Sequence, residues 1–431
     1  MNRLEQLAQH GLYRPEFERD NCGWGLIAQM DGKPSHWLVS TAIHSLERLT
    51  HRGAVAADGK SGDGCGLLFS KPDLFLRAVA DEQGIKLGEQ YAVGMVFLNT
   101  DSQQCAKAKS TLEDFIKQQG LVPSGWRQVP VNTSALGEQA AQSLPGIEQI
   151  FINADEPIEE AELERRLYIA RRQTEKALSD DEMFYIPSLS SRVISYKGLV
   201  MPAYLPVFYQ DVADERMQAK LAVFHQRFST NTLPQWRLAQ PFRYLAHNGE
   251  INTVQGNRNW SVARSHIFST PLIPDLDQVR PLVTMSGSDS MSLDNMLEAL
   301  VAGGIDLFRA MRLLIPPAWQ NIEHMDPDLR AFYEFNSMHM EPWDGPAGVV
   351  FTDGRYAVCT MDRNGLRPAR YAITENEQQG RVITLASEIG VHDYDNGDVV
   401  CKGRLMPGQM LASDTQTGKL LLPDDIDNDL K

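Results

Sequence analysis

Short apolar runs broken by tight turns stand at both ends of this chain, and they limit the possible folds more than any other feature. Toward the C-terminus "AGVVFTDG", "YAVCTMD", "RVITLAS" and "GQMLASD" follow one another, punctuated by "TDG", "NG" and "QTG". Runs of this kind predict strands that pair with their neighbours in sequence, and so antiparallel sheet. "GWGLIA" (23–28), "YAVGMVFL" (91–98) and "IEQIFIN" (147–153) also read as strands, as do parts of "FYIPSLSSRVISYKG" and "AKLAVFHQRFS". Helices fall between them. Near 35–50, Trp37, Val39, Ala42, Ile43, Leu46 and Leu49 recur at helical spacing, and Gly53 offers a stop. Further helices are expected at 103–118, at 159–179 with a charged outer face, and across much of 285–340. The sum is a layered α+β architecture with mostly antiparallel sheet.

Hydrophobic residues make up 42% of the 431, enough for a real core, and the formal net charge of −15 opposes binding to a phosphate backbone. The charge suits partners that are small polar molecules. No nucleic-acid partner is expected. No run approaches the ~18 apolar residues of a membrane span, and the first 21 residues lack a secretory apolar stretch. The five cysteines, Cys22, Cys65, Cys105, Cys359 and Cys401, are scattered without a CxxC or CxxH pair. They read as reduced thiols of a cytoplasmic protein, with no metal site expected. Neither standard phosphate cradle, GxGxxG after a strand nor GxxxxGK[ST], is present.

Several stretches could carry chemistry. In "ERDNCGWG" (18–25) a cysteine follows charged and polar residues and precedes two glycines. Cys22 could be a small buried hydrophobe or a nucleophile. No histidine adjoins it to act as base. Cleavage of Asn21–Cys22 would give Cys22 an α-amine of pKa about 7.7–8.0, so one residue would hold both nucleophile and base. In "RYLAHNGEIN" (243–252) the Asn-Gly pair suggests either a type I′ turn or two donors, the Asn248 amide and the Gly249 N–H, aimed at a developing oxyanion.

Arg227 in "FHQRFSTNT" could be a surface ion-pair partner or a fork for a substrate carboxylate, with Thr230 adding a hydroxyl. "SGSDSMSLDN" (286–295) looks like a helix N-cap, and Asp289 could also hold a substrate ammonium. Arg52 ends a helix, where a cation is favoured, or lines a pocket beside Cys22. His51, His225 and His247 lack metal-ligand spacing and read as packing or hydrogen-bonding residues. The closing "LLLPDDIDNDLK" reads as an exposed linker.

Taken in order, "NCGWG", "HRGA", "HQRFSTNT", "AHNGEIN" and "SGSDS" resemble the signature of the class II glutamine amidotransferases, which are N-terminal-nucleophile hydrolases. "LAQPFRYLAHNGEINTVQGN", "FNSMHMEPWDGPAG" and "DRNGLRPARY" are similar to the amidotransferase domain of the bacterial glutamate synthase large subunit. The resemblance implies a four-layer αββα sandwich, two mostly antiparallel sheets between helical layers. It implies a propeptide over 1–21, the amidotransferase domain over 22–415, and an acidic linker over 416–431 leading toward a synthase region.

By position, Cys22 matches the nucleophile, and Asn248 with Gly249 matches the oxyanion hole. Arg227 and Asp289 match the residues that grip the α-carboxylate and α-amine of glutamine, and Arg52 matches an arginine beside the nucleophile. The implied activity is hydrolysis of L-glutamine, its ammonia meant for 2-oxoglutarate. FMN, an iron–sulfur cluster, FAD and NADPH are expected only in the rest of such an enzyme, with the synthase region and a small subunit as partners. Two other readings stay open. One is hydrolysis of a different amide, which would not need both Arg227 and Asp289. The other is a non-catalytic module that senses glutamine.

Overall fold

Parity along the strands gives the layers of the molecule. The computed structural model describes residues 22–227 and 233–431. In Gly23–Gln29, Trp24, Leu26 and Ala28 enter one core, while Ile27 enters another with Leu38, Val39, Ala42 and Leu46 of helix His36–Glu47. The first core also takes Val223 from Leu221–Gln226, Val350 from Ala347–Thr352 and Cys359 from Tyr356–Met361. Alternate residues Phe224, Val349, Phe351 and Val358 of these strands face away from it. Strands buried on both faces are thus stacked as two sheets, each with helices on its outer side. Burying one Leu or Phe contributes about 1.5–3 kcal/mol against about 0.5–1.5 for an ordinary hydrogen bond, so two-sided burial stabilises these strands more than their pairing does.

One sheet has seven strands, in the order Val399–Arg404, Arg370–Asn376, Gly380–Ala386, Gly23–Gln29, Leu221–Gln226, Cys65–Ser70 and Val193–Gly198. The facing sheet has five: Lys419–Leu421, Met410–Asp414, Tyr356–Met361, Ala347–Thr352 and Leu245–Gly249. Pairing between all these strands is antiparallel. Helix His36–Glu47 covers the seven-stranded sheet; Asp289–Ala302 and Leu307–Leu314 cover the five-stranded one. This is the expected αββα sandwich.

Two features differ from expectation. A third sheet, ordered Val122–Gln128, Gly146–Asn153, Tyr91–Leu98 and Tyr185–Ser190, stands beside the sandwich with helices Ser102–Gln118 and Glu160–Ala177 on one face. Strands at 91–98 and 147–153 are legible in the sequence, but their assignment to a separate sheet depends on long-range pairing. Second, the C-terminal segment is a docked element, which corrects the reading of 416–431 as an exposed acidic linker. Lys419–Leu421 pairs with Met410–Asp414, and helix Pro423–Asp429 buries Ile426. Arg312 Nη2 meets Asp427 Oδ1 at 3.1 Å, and Arg309 donates to the Leu430 carbonyl. Asp424 and Asp429 are exposed, Asp427 turns toward Arg312, and Ile426 and the following Leu430 are buried.

Arginines and carboxylates tie the third sheet's helix to the sandwich. Glu175 on Glu160–Ala177 accepts from Arg171 at 2.7 Å, Arg172 at 2.6 Å and Arg243 at 2.7 Å. Arg171, fully buried, also pairs with Glu298 of helix Asp289–Ala302. Burial alone would raise the Glu175 pKa, but the charges of Arg171, Arg243 and Arg172 hold it at about 2. Its folded value lies below the unfolded one of about 4.3, so its stabilisation is complete above that pH and is lost as pH falls toward 2. Glu175→Gln leaves buried guanidinium charge uncompensated and is expected to cost about 3 kcal/mol in urea unfolding at pH 7. The difference from the parent should shrink between about pH 4.3 and pH 2.

Candidate active site

Strand register decides what stands near Cys22, the residue just before Gly23–Gln29. Gly23 lies opposite Gln226, so Arg227 leaves the adjacent strand beside the cysteine. The Arg227 N–H donates to the Gly64 carbonyl at 2.9 Å, and its guanidinium reaches the Asp63 carbonyl at 3.4 Å. Arg227 is only 4% exposed. Burial pulls its pKa down, opposed by the negative charge of Cys22, Asp63 and Asp289, which surround one desolvated cation.

Asn248 and Gly249 end Leu245–Gly249, the edge strand of the five-stranded sheet, opposite Gly348 and Ala347. They are part of a strand and not the central pair of a type I′ turn. Gly249 has φ of +140°, and a Cβ there would come within 1.7 Å of the Pro346 carbonyl oxygen, so glycine is required. The Asn248 side chain is buried, and its Nδ2 donates to the Cys22 carbonyl at 2.6 Å. Gly348, in register with Asn248, leaves room for the Trp24 indole: a Cβ on it would stand 2.9 Å from Trp24 Cζ2.

Asp289 is the first residue of helix Asp289–Ala302, and Ser288 caps the helix by accepting from the Met291 N–H. Asp289 Oδ2 accepts the Ile251 N–H at 2.8 Å, just beyond Gly249, and Oδ1 accepts the Ser290 N–H at 2.7 Å. The carboxylate is therefore tied to the chain that carries the oxyanion candidates.

Arg52 sits in the short turn Thr50–Arg52, packed where a Cβ on Gly23 would be 3.1 Å from its own Cβ. Glu388 clasps its guanidinium through two contacts of 3.0 Å and meets His51 Nε2 at 3.1 Å. Burial would raise the Glu388 carboxyl, but His51 and Arg52 hold it at about 2. The hydrogen bond to Glu388 in turn raises His51. Next door, Ser387 accepts the Trp24 N–H at 3.2 Å and donates its own N–H to the Trp24 carbonyl at 2.9 Å.

The fold thus brings together Cys22, Arg52, Arg227, Asn248, Gly249 and Asp289 from distant segments. Thr230 and the 1–21 segment lie outside the described residues. Sequence reasoning missed Glu388, Ser387 and Asp63. Glu388 is an acid directly after the apolar run "RVITLAS", but nothing in its spacing pairs it with Arg52, 336 positions away. His225 and His247 are buried and hydrogen-bonded, His225 Nε2 to the His247 carbonyl at 3.1 Å and His247 Nδ1 to Ser290 Oγ at 2.8 Å. Among the described residues no three His, Cys, Asp or Glu side chains are grouped to hold a metal ion, and no helix is long and apolar enough to cross a membrane. An iron–sulfur cluster needs several converging thiolates. Here Cys65 and Cys359 are buried in separate cores and Cys401 is exposed, so the described cysteines do not fit one.

Residues 22–431 match the family model described as "Glutamine amidotransferases class-II". The glutamate synthase [NADPH] large chain of Bacillus subtilis is 42% identical over 419 residues, covering 96% of this chain and 27% of that protein. The large chain from Azospirillum brasilense is 42% identical over 415 residues, 95% of this chain and 27% of the relative. Ferredoxin-dependent glutamate synthase 2 of Synechocystis is 43% identical over 410 residues, 94% of this chain and 26% of the relative. The chain therefore spans about a quarter of the length of these relatives.

Glu388→Gln removes the charge that stabilises protonated His51. In a histidine NMR titration the His51 pKa is expected to fall toward about 6.5. An unchanged value would show that Glu388 does not set it.

Proposed function

The chain belongs to the class II glutamine amidotransferases, and from that premise we propose that it hydrolyses L-glutamine to glutamate and ammonia with Cys22 as nucleophile. The observation that supports this reading is the Asn248 amide donating to the Cys22 carbonyl oxygen at 2.6 Å, so the proposed oxyanion donor and the proposed nucleophile belong to residues in contact. An amide NH₂ has two donors, so Asn248 can hold Cys22 with one and a reacting oxygen with the other.

Removal of residues 1–21 uncovers the Cys22 α-amine, whose pKa of about 7.7–8.0 suits a general base near neutrality. The amine takes the thiol proton, and the sulfur attacks the side-chain amide carbon of glutamine. Charge on the tetrahedral oxygen is met by Asn248 Nδ2 and the Gly249 N–H. The ammonium then gives that proton to the amide nitrogen as its bond to carbon breaks, ammonia leaves, and water hydrolyses the γ-glutamyl thioester.

Arg227 holds the substrate α-carboxylate. A guanidinium already stripped of water gains most from an incoming anion, and its fork fits two carboxylate oxygens. Asp289 holds the α-ammonium, and Thr230 adds a hydroxyl contact. Requiring both charged ends selects a free amino acid over a peptide or acyl amide. Arg52, oriented by Glu388, lines the pocket beside Cys22. In the longer proteins to which this chain is similar, we infer that the ammonia passes to a synthase region acting on 2-oxoglutarate, with FMN, the iron–sulfur cluster, FAD and NADPH bound there and in a small subunit. We place the enzyme in the cytoplasm.

Intact mass of the active protein is expected to show a chain beginning at Cys22. Cys22→Ala should leave the melting temperature unchanged and abolish glutamine hydrolysis; turnover at the parent rate would end the reading. Asn248→Ala should lower kcat by about 10²–10³ with little change in KM. Arg227→Met should instead raise the KM for glutamine by more than about tenfold, since a charged hydrogen bond is worth roughly 1.5–3 kcal/mol.

A further inference from the structure

The strand that carries Asn248 and Gly249 lies at a sheet edge, paired with Ala347–Thr352 on one side only. On its open side, side chains of helix Asp289–Ala302 do what another strand would do. Asp294, fully buried, accepts the N–H groups of Tyr244 at 2.9 Å and Leu245 at 3.2 Å on Oδ1, and that of Arg243 at 3.3 Å on Oδ2. One turn earlier on the same helix face, Ser290 Oγ contacts His247 Nδ1 at 2.8 Å and accepts from Gln240 Nε2 at 3.2 Å. Gln240 Oε1 in turn accepts the His247 N–H at 2.8 Å. The helix therefore grips the strand at its entry and at its middle, the latter one residue before Asn248.

We propose that Asp294 and Ser290 are positioning residues, which set the height and tilt of Leu245–Gly249 and hence the place of the Asn248 amide and Gly249 N–H relative to the Cys22 sulfur. The proposal rests on the glutaminase reading for its kinetic consequence, but not for its structural one. An apolar residue at 294 would strand three N–H groups, two of them in buried hydrogen bonds, leaving each without an acceptor unless the strand moved to find water. A displaced strand loses oxyanion stabilisation, which acts in the transition state, while Arg227 stays in place to hold the substrate.

Asp294→Asn is the main test, because it keeps the shape but turns an acceptor oxygen into a donor against the Arg243 N–H. Its kcat for glutamine is expected to fall by at least about tenfold, equivalent to about 1.4 kcal/mol, with KM within about threefold. Alkylation of Cys22 by iodoacetamide should keep the parent rate. Ser290→Ala, a smaller change, should lower kcat about threefold to tenfold with the same pattern. Amide hydrogen exchange across 244–249 should speed up in both variants, and it reads strand position without any turnover.

Parent-like kcat and exchange in the variants would overturn the proposal, as would a kcat loss accompanied by an equal loss of Cys22 alkylation. If Asp294→Asn does not fold, Ser290→Ala decides alone. A parent chain that fails to hydrolyse glutamine counts against the glutaminase reading, while exchange still judges the positioning role.

Discussion

Trp24 is wedged between the two large sheets, and the geometry at the active end depends on how it is seated. Its indole is fully buried against Gly348, the residue in register with Asn248. Its backbone N–H and carbonyl are bracketed by Ser387, whose neighbour Glu388 holds Arg52. One large side chain therefore sets the spacing between a strand that follows directly on a cysteine and a strand that ends just past an amide. Close packing transmits such a constraint because a filled core has no slack to absorb a shift. The 2.6 Å contact between Asn248 and Cys22 is the local consequence.

Around this junction the ionised groups divide into two kinds. Glu175, Arg171, Arg243 and Glu298 pair with one another and bind helix Glu160–Ala177 beside the third sheet to the sandwich. Arg227 is different. It is buried with carbonyl contacts and with Cys22, Asp63 and Asp289 around it, and burial still lowers its pKa. Its place beside Cys22 suits the proposed role of holding substrate, while the others tie helices to the sandwich.

Helix Asp289–Ala302 links these themes. Its first residue ties down the chain after Gly249, its second contacts His247, and Asp294 holds the start of the same strand. An edge strand would otherwise expose unpaired backbone donors. Here polar side chains on a buried helix supply the acceptors, so the strand can lie at a sheet edge without being loose.

Much of this was legible in the linear chain. The strand at "GWGLIA" and the helical spacing that begins at Trp37 are local, short-range signals, and both elements are present in the structure. The ordered motifs around Cys22, Arg52, Arg227, Asn248 and Asp289 marked the candidate site, and the fold brings these residues together. Sequence alone could not say that Asn-Gly ends a strand, because a short apolar run before a glycine suits a turn or an edge equally. It could not place 91–98 in a third sheet or dock "PDDIDNDL" as a helix, since both depend on surfaces made by residues far away. Nor could it join Glu388 to Arg52 or Asp294 to the N–H groups of 243–245. Residue chemistry is written locally, whereas distance and burial exist only once the chain has closed upon itself.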